Sequence, residues 1–143
     1  MEMNTRIQVE HTISEEITGI DLIKMQIRIA EHQKLHIKQE DIPCLGHAIE
    51  CRINAENIKM NFAPSPGTIK FINFPQGRNV RVESAVYNGY QIPPFYDSMI
   101  AKIITFAPTR LECIKRMRIA LEELIIEGVE TNIEFQYLLL HHP

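Results

Sequence analysis

The sequence predicts an α+β protein in which a mostly antiparallel sheet packs against helices. Polar and apolar residues alternate over residues 2–11 and 47–56, which is the period of a half-buried strand. Apolar residues recur at helical spacing over residues 109–124. The order along the chain is one strand, one helix, several strands and then helices, and this order favours antiparallel pairing.

Length and composition indicate an ordinary globular domain. The chain has 143 residues, of which 45% are hydrophobic, so it can bury a core. A formal net charge of -3 gives no general attraction to nucleic acid or to acidic membranes. No apolar run reaches the roughly 18–20 residues of a membrane span. We therefore expect neither nucleic acid nor a membrane as a partner.

The three cysteines, Cys44, Cys51 and Cys113, are scattered and lack the close spacing of a zinc site. We expect them to be small buried thiols. Unpaired cysteines of this kind are typical of a reducing cytoplasm, which is the expected location.

Residues 2–11 are predicted to form a strand with an unusually polar face. That face carries five polar side chains, those of Glu2, Asn4, Arg6, Gln8 and Glu10. The ordinary interpretation is an amphipathic strand whose polar face meets water. Charged and amide side chains are poor strand formers, however, and Thr or Ser would suit a plain wet face better.

The polar groups of this strand suit a site for a metal and a small anion. The carboxylate of Glu2 and the amide of Asn4 offer the oxygen ligands that Mg²⁺ prefers. Arg6 places a permanently charged fork near Glu10, which suits an oxyanion held beside a base.

The strand over 47–56 has a second polar face, formed by Glu50, Arg52 and Asn54. Its ordinary interpretation is a half-exposed strand with one salt bridge. If the two polar strands faced each other, they would supply arginines, carboxylates and amides to one cleft. The sequence leaves open whether they converge.

Helices and a boundary are predicted between these strands. Residues 14–18 suggest a short helical turn, and a capping box over 18–21 begins a helix that reaches about Glu31. Residues 32–46 are polar and contain the breakers Pro43 and Gly46, so this segment is the candidate domain boundary.

The rest of the chain predicts short strands followed by two helices. Two prolines make residues 62–68 a loop. Capping boxes over 109–112 and 131–134 begin two helices, with Gly128 as a break between them and Leu140 near the end of the second. Further strands are predicted, with turns between them, over 67–74, 80–86 and 99–106.

Long stretches of the sequence resemble biotin carboxylases, in unbroken order. They are MNTRIQVEH, EITGIDLIKMQIRIA, GHAIECRINAE, PSPGTI, YNGYQIPPFYDSMIAKII and ALEELIIEGVETNIEF. The resemblance covers essentially the whole chain. The form FYDSMIAK is similar to the separate biotin carboxylase subunit of bacterial acetyl-CoA carboxylase, more than to pyruvate carboxylase.

This resemblance implies two domains. Residues 1–45 correspond to the last strand and helix of an ATP-grasp domain, and residues 46–143 to a slightly truncated biotin carboxylase C-terminal domain. Enzymes of this family are much longer, so we expect a fragment. A strand separated from its sheet loses partners for its backbone groups. Residues 1–12 are therefore expected to lie on an edge, to shift, or to pair with another chain.

The implied reaction uses MgATP to convert bicarbonate to carboxyphosphate, which then carboxylates N1 of biotin on a carrier protein. By the resemblance, Glu2 contributes to ATP binding and ligates Mg²⁺ or Mn²⁺ together with Asn4. A metal at this place would screen phosphate charge during the reaction. ATP, the metal and biotin are expected in the intact enzyme, and none of them bound to the fragment.

The resemblance also assigns the residues that handle bicarbonate and biotin. Arg6, Gln8 and the backbone at Val9 would hold bicarbonate, and Glu10 would be the general base that takes its proton. Arg52 would bind bicarbonate and biotin and stabilise the charge that develops on the biotin ureido oxygen. Arg6, Glu10 and Arg52 are thus the implied catalytic residues.

The implied partners are a biotin carboxyl carrier protein, carboxyltransferase subunits and a second copy of the enzyme. Arg81 and Asp97 match positions near the dimer interface of the bacterial enzyme, and surface ion pairs are their ordinary interpretation. The stretch IKMNFAP is about one residue longer than in the family, and Arg78 and Val82 stand where aromatic residues are expected. These differences affect the dimer contact more than the chemistry.

The sequence leaves two alternatives open. The fragment alone is expected to be inactive, so it could act only as a dimerisation or carrier-docking module. The parent could also be a pyruvate, propionyl-CoA or methylcrotonyl-CoA carboxylase, because the final acceptor is not encoded in this chain.

Overall fold

The computed structural model describes residues 1–142, and within them it contains four α-helices, two single-turn 3₁₀-helices and nine strands. The helices are α1 (His11–Thr18), α2 (Leu22–Ala30), α3 (Arg110–Glu123) and α4 (Ile133–Leu139). The strands are β1 (His47–Asn54), β2 (Glu56–Asn57), β3 (Ala63–Pro64), β4 (Gly67–Thr68), β5 (Phe71–Asn73), β6 (Val80–Ser84), β7 (Gln91–Ile92), β8 (Met99–Ala107) and β9 (Ile125–Glu127).

A three-stranded antiparallel sheet in the order β1-β8-β6 lies at the centre of the fold. The remaining strands form three antiparallel pairs, β2 with β3, β4 with β7, and β5 with β9. Helices α3 and α1 pack on the central sheet, and α4 packs on α3 and β1. The predicted α+β class with mostly antiparallel pairing is confirmed.

The main core lies between the central sheet and α3. Side chains alternate across a strand, so Cys51 and Ile53 of β1 and Ala101 and Ile103 of β8 share one face. All four are buried, and they pack against the apolar stripe of α3, which is formed by Met117, Ala120 and Leu121 together with Leu124. The predicted alternation over 47–56 and the helical period over 109–124 are therefore confirmed.

A second, smaller core lies under the short strand pairs. It consists of Ala55, Ile69, Ile92 and Ile100. The predicted strand over 67–74 is divided here into β4 and β5, and the predicted loop over 62–68 contains β3 and β4. Each pair shares only two or three residues, too few to give a readable alternation in the sequence.

The predicted strand over residues 2–11 is wrong. Residues 1–10 contain no strand, and α1 already begins at His11. Within the described residues, the main chain of residues 1–7 makes no backbone hydrogen bond. A strand exists only through a ladder with a neighbour, and this segment has none. As expected, it does not lie between two strands, but it forms no edge strand either.

Helix α2 begins later than the capping box over 18–21 predicted. Gly19 ends α1 with a positive φ of 70°, and its N–H donates to the Glu15 carbonyl. The N-cap of α2 is Asp21, whose carboxylate accepts from the Lys24 N–H at 2.7 Å. Thr18 therefore belongs to α1 and is not the cap of the next helix. A glycine at this position suits the left-handed backbone that closes a helix.

One of the two capping boxes in the C-terminal part is correct. The Thr109 hydroxyl accepts from the Glu112 N–H at 3.3 Å and caps α3. The predicted cap at Thr131 is wrong, because α4 begins after Asn132. The Asn132 side chain does not cap α4 but is turned toward β1.

Asn132 fastens α4 to the strand that carries the second polar face. Its side-chain oxygen accepts from the Asn54 N–H at 2.9 Å, and its amide donates to the Arg52 carbonyl at 3.1 Å. Asn132 is buried. These bonds satisfy backbone groups at the point where β1 has a bulge, between Ile53 and Asn54.

Gly128 is the break predicted after the long helix, and the structure gives its reason. Its φ is 106°, and a Cβ at this position would lie 2.2 Å from the Thr68 carbonyl oxygen. Only glycine allows the chain that follows β9 to pass so close to β4.

The cysteine prediction is correct for two residues of three. Cys51 and Cys113 are buried, whereas Cys44 is exposed, and all three are free thiols. Cys44 lies in the polar segment before β1, which contributes nothing to either core. Among residues 1–142, no helix has the length and apolarity needed to cross a bilayer.

We predict that Asn132→Ala lowers the free energy of unfolding by about 2 kcal/mol, since each buried group left unpaired costs ~1–3 kcal/mol. Urea unfolding followed by circular dichroism measures the change. The matched control is Asn73→Ala, which removes one exposed bond from the Asn73 amide to the Glu123 carbonyl. Equal losses for the two variants would contradict the anchoring role of Asn132.

Candidate functional site

The polar face of the central sheet carries a row of charged side chains. Arg52 of β1 lies opposite Lys102 of β8, and Lys102 lies opposite Glu83 of β6. Two cations therefore face each other directly across neighbouring strands, an arrangement that is destabilising unless anions compensate it. The side chain of Lys102 is only 8% exposed, so its compensation has to come from within the protein.

Arg52 is compensated by two carboxylates. Its Nη2 lies 2.8 Å from a Glu10 oxygen, and its Nε lies 3.4 Å from a Glu50 oxygen. Glu50 also accepts a hydrogen bond from the buried Thr12 hydroxyl of α1. The predicted polar strand over 47–56 and the segment before α1 therefore meet, and they meet at Glu10 and Arg52.

The Glu10–Arg52 pair is only half buried, with side-chain exposures of 52% and 47%. Exposed pairs contribute little to stability, typically less than about 1 kcal/mol. Its importance is positional, because it joins residues that are 42 positions apart in the sequence. Both side chains remain open to solvent and can exchange this contact for contacts with a bound molecule.

Lys102 is compensated on the other side of the row. Its Nζ lies 2.7 Å from a Glu83 oxygen and donates to the Val9 carbonyl oxygen at 2.9 Å. Glu83 in turn accepts from Arg81, whose Nη1 also lies 2.8 Å from a Glu15 oxygen of α1. A continuous chain of charges thus connects the segment before α1, the sheet and α1 itself.

Arg81 and Glu83 hold each other in their charged forms. Burial favours the neutral form of Arg81, but hydrogen bonds to Glu15 and Glu83 outweigh it and raise the pKa of Arg81. Burial alone would raise the pKa of Glu83, but hydrogen bonds from Lys102 and Arg81 outweigh it and hold that pKa below its ordinary value of 4.5.

The ion pairs of Arg81 lie within the chain, as its ordinary interpretation predicts, and include Glu16 at 3.4 Å. Asp97 is exposed, and its carboxylate accepts from the Met99 N–H at 2.8 Å. Both residues that were predicted near a dimer interface thus make contacts within this chain.

A cleft of about 500 Å³ lies beside Glu10 and brings three of the predicted site residues together. Arg6, Gln8 and Glu10 are among the residues that line it. Its walls are largely apolar side chains from α2 and the segment after it, including Leu22, Met25, Ile29, Leu35, Ile37 and Ile42. Arg6 does not pair with Glu10 here, because its Nη1 donates to the Ile7 carbonyl at 3.2 Å.

The two predicted metal ligands are not brought into this arrangement. Glu2 and Asn4 are exposed, and within residues 1–142 neither side chain takes part in a hydrogen bond or ion pair. Their carboxylate and amide oxygens nonetheless have the chemistry that a hard divalent cation requires.

Sequence reasoning missed Thr12 and Lys102, and it named Glu50 only as part of a polar face, without its buried contact. Thr12 is fully buried, the Glu50 side chain is 5% exposed, and Lys102 lies in an otherwise apolar strand. A signal for Lys102 was present, because a single lysine within the run MIAKIITFA of a central strand needs a buried partner. Thr12 and Glu50 bond each other across 38 positions of the sequence, and no local pattern indicates such a contact.

The Cys51 thiol, on the opposite face of the sheet, is unreactive. Cys51 lies between Glu50 and Arg52 but points into the core, and burial, followed by the nearby charge of Glu50, raises its pKa to about 12. The reactive thiolate form is therefore scarce at neutral pH, and Cys51 is a packing residue.

Fold and site together define an α+β domain that presents an arginine, a buried lysine and several carboxylates beside an apolar cleft. The model of the family described as "Biotin carboxylase C-terminal domain" matches residues 50–143. A second model, "Carbamoyl-phosphate synthase L chain, ATP binding domain", matches residues 1–38.

Curated proteins with similar sequences are named as biotin carboxylases or as carboxylase subunits. Biotin carboxylase 1 of Bacillus subtilis is 61% identical over 142 residues, which are 99% of this chain and 32% of that protein. A pyruvate carboxylase subunit of Methanothermobacter thermautotrophicus is 56% identical over 99% of this chain and 29% of its own. The chain thus spans about a third of the length of the curated relatives it matches.

Solved structures agree with this relationship. The biotin carboxylase domain dimer of Hydrogenobacter thermophilus 2-oxoglutarate carboxylase, in complex with MgADP, ADP and bicarbonate, is 52% identical, with a TM-score of 0.97. The similarity covers 99% of this chain and 31% of that one. The chain belongs to the biotin carboxylase family and contains its C-terminal domain.

We predict that Glu83→Gln reduces the dependence of stability on acid pH. The folded-state pKa of Glu83 is lowered, so its stabilising effect is fully present above its unfolded value of 4.5 and is lost as pH falls through the folded pKa. The difference in unfolding free energy between wild type and variant should therefore shrink from neutral pH to about pH 3.

Urea unfolding at several pH values measures this difference. The control is Glu127→Gln, an exposed strand carboxylate of β9. We expect it to change stability less than Glu83→Gln at neutral pH, because among the described residues its side chain has no ion pair. A wild-type advantage over Glu83→Gln that stays constant, or grows, toward acid pH would contradict the assignment.

Proposed function

We propose that this chain forms the bicarbonate and biotin side of a biotin carboxylase active site. The reaction would be ATP-dependent carboxylation of biotin on a carrier protein, with carboxyphosphate formed from bicarbonate. One observation carries the proposal. The Glu10–Arg52 contact of 2.8 Å joins the segment that matches an ATP-binding domain to the strand that matches the biotin carboxylase C-terminal domain.

In this proposal Glu10 is the general base and Arg52 the oxyanion donor. A base must reach the proton it removes, and Glu10 faces both the cleft and solvent. Arg52 presents a fixed fork of donors that suits bicarbonate and the oxygen of a developing ureido anion. The two side chains neutralise each other in their 2.8 Å contact, and substrate binding would exchange this contact for contacts with the reacting groups.

Arg6, Gln8 and the backbone at Val9 would complete the bicarbonate subsite. Arg6 and Gln8 line the same cleft as Glu10, which supports a shared ligand. Glu2 and Asn4 would hold Mg²⁺ or Mn²⁺ at the ATP phosphates, and a bound metal would screen the phosphate charge there.

The proposed parent is the biotin carboxylase subunit of a bacterial acetyl-CoA carboxylase, in the cytoplasm, with residues 1–45 and 46–143 as two domains. Its proposed partners are the biotin carboxyl carrier protein, carboxyltransferase subunits and a second copy of the enzyme. The form FYDSMIAK supports this subtype. Relatives named for pyruvate and 2-oxoglutarate support the same half-reaction with another acceptor.

We predict that Arg52→Ala nearly abolishes carboxylation of biotin. The protein to use is a chimera in which this chain replaces the matching 142 residues of the Bacillus subtilis relative. Loss of one oxyanion donor should lower the rate of carboxybiotin formation by on the order of 100-fold or more. Bicarbonate-dependent ATP hydrolysis should fall less, because it precedes the step at biotin.

The control for this variant is Arg110→Ala, an exposed arginine in the first turn of α3. Its chimera should retain both activities. Normal carboxybiotin formation by the Arg52→Ala chimera would exclude the role assigned to Arg52. An inactive unsubstituted chimera with normal folding would argue against the proposed function as a whole.

We also predict that the 143-residue chain alone does not hydrolyse ATP in response to bicarbonate. Phosphoryl transfer depends on positioning, and Glu2 and Asn4 have no partner among the described residues. A phosphate-release assay with MgATP, with and without bicarbonate, measures this. Turnover comparable to the chimera would contradict the expectation and would favour a self-sufficient enzyme over a docking module.

A further inference from the structure

The segment from Gln8 to Glu10 is held more firmly than its position before α1 suggests. The Gln8 carbonyl accepts from the His11 N–H at 3.2 Å, and the Glu10 carbonyl accepts from the Ile13 N–H at 3.1 Å. The Val9 carbonyl accepts from Lys102 at 2.9 Å. All three carbonyls are thus bonded, whereas within residues 1–142 the main chain of residues 1–7 has no backbone hydrogen bond.

Lys102 is the anchor that connects this main chain to the sheet. The other two bonds are local contacts within the start of α1, whereas the Lys102 bond spans 93 positions. A bond to the Val9 carbonyl fixes the plane of the peptide between Val9 and Glu10. That peptide sets the direction in which the Glu10 side chain leaves the backbone.

Stability does not require a lysine at this place. The ammonium group is removed from water at a cost of several kcal/mol, and an apolar side chain of similar length would fill the same volume without that cost. The neighbouring Glu83 already has a second cation, Arg81. What the lysine provides, and an apolar side chain cannot, is a directed bond from the central strand to the Val9 carbonyl.

We propose that Lys102 is a positioning residue of the bicarbonate subsite. It holds the Val9–Glu10 peptide so that Glu10 lies beside Arg52 and faces the cleft with Arg6 and Gln8. Glu83 holds the ammonium group in this direction, and Arg81 keeps Glu83 in place. The functional meaning of this arrangement rests on the proposed function, whereas the positioning itself is testable in this chain alone.

The first test uses nuclear magnetic resonance on the isolated chain. We expect Lys102→Met to move the Val9 carbonyl ¹³C resonance and to speed hydrogen exchange at the His11 and Ile13 amides. Lys102→Arg, which keeps a cationic donor, should restore much of both signals. The control is Lys115→Met, an exposed lysine of α3, which should leave these resonances unchanged. Unchanged Val9, His11 and Ile13 signals in Lys102→Met would overturn the proposal.

The second test uses the chimera with the Bacillus subtilis relative. Misplacing a positioned group by about 1 Å costs on the order of 100-fold. We therefore expect Lys102→Met to raise the KM for bicarbonate at least tenfold, with the KM for ATP nearly unchanged. A merely structural role would lower kcat through a smaller folded fraction and would leave both KM values unchanged, and that result would overturn the proposal.

A double variant separates positioning from the loss of a charge partner. In Lys102→Met, Glu83 loses one cation, and this alone could disturb the site. Lys102→Met combined with Glu83→Gln removes that carboxylate charge, and we expect the raised KM for bicarbonate to persist. Recovery of the wild-type KM in the double variant would show that Glu83, not the Val9 anchor, causes the defect. An inactive unsubstituted chimera would count against the proposed function, and the resonance test would still decide the role of Lys102.

Discussion

The direct opposition of Arg52 and Lys102 across β1 and β8 is the constraint on which the site depends. Two cations on facing strand positions repel each other, so each must find its own anions. Arg52 takes Glu10 and Glu50, whereas Lys102 takes Glu83 and a backbone carbonyl. Because one partner of each cation comes from the segment before α1, compensation of the charges fixes that segment on the sheet.

Because these charges lie on one face of the central sheet, its two faces differ in chemistry. The face toward α3 is apolar, contains Cys51 and Ile53, and supplies most of the burial that stabilises the domain. The face toward α1 is held by charges and by the buried Thr12 hydroxyl. Hydrophobic contacts tolerate small displacements, whereas hydrogen-bonded charges fix direction. The face that orients side chains is therefore the one that carries the proposed site.

The sequence predicted those features that depend on local period or on a single cap. The alternation over 47–56 and the Thr109 cap of α3 are present as expected. The strand over 2–11 was wrong because alternation permits a strand but cannot supply the neighbour that forms its ladder. The cap predicted at Thr131 was wrong for a related reason, since α4 begins after Asn132, whose side chain bonds β1 and not its own helix. For contacts across 38 to 93 positions, such as Thr12 with Glu50 and Lys102 with Val9, no local pattern identifies the partner.

The half-exposed Glu10–Arg52 pair is better suited to exchange than to stability. A fully buried pair would have to be broken at a cost of several kcal/mol before either partner could meet a substrate. A pair with side-chain exposures of 52% and 47% is already solvated, so an anion that enters can compete for the guanidinium at small cost. The less exposed contact lies on the neighbouring strands, between Lys102 and Glu83, whose side chains are 8% and 31% exposed. In the proposed site, the charges that must stay fixed are thus separate from those that must be released. This separation would allow the proposed base, Glu10, and the proposed oxyanion donor, Arg52, to neutralise each other until a substrate comes between them.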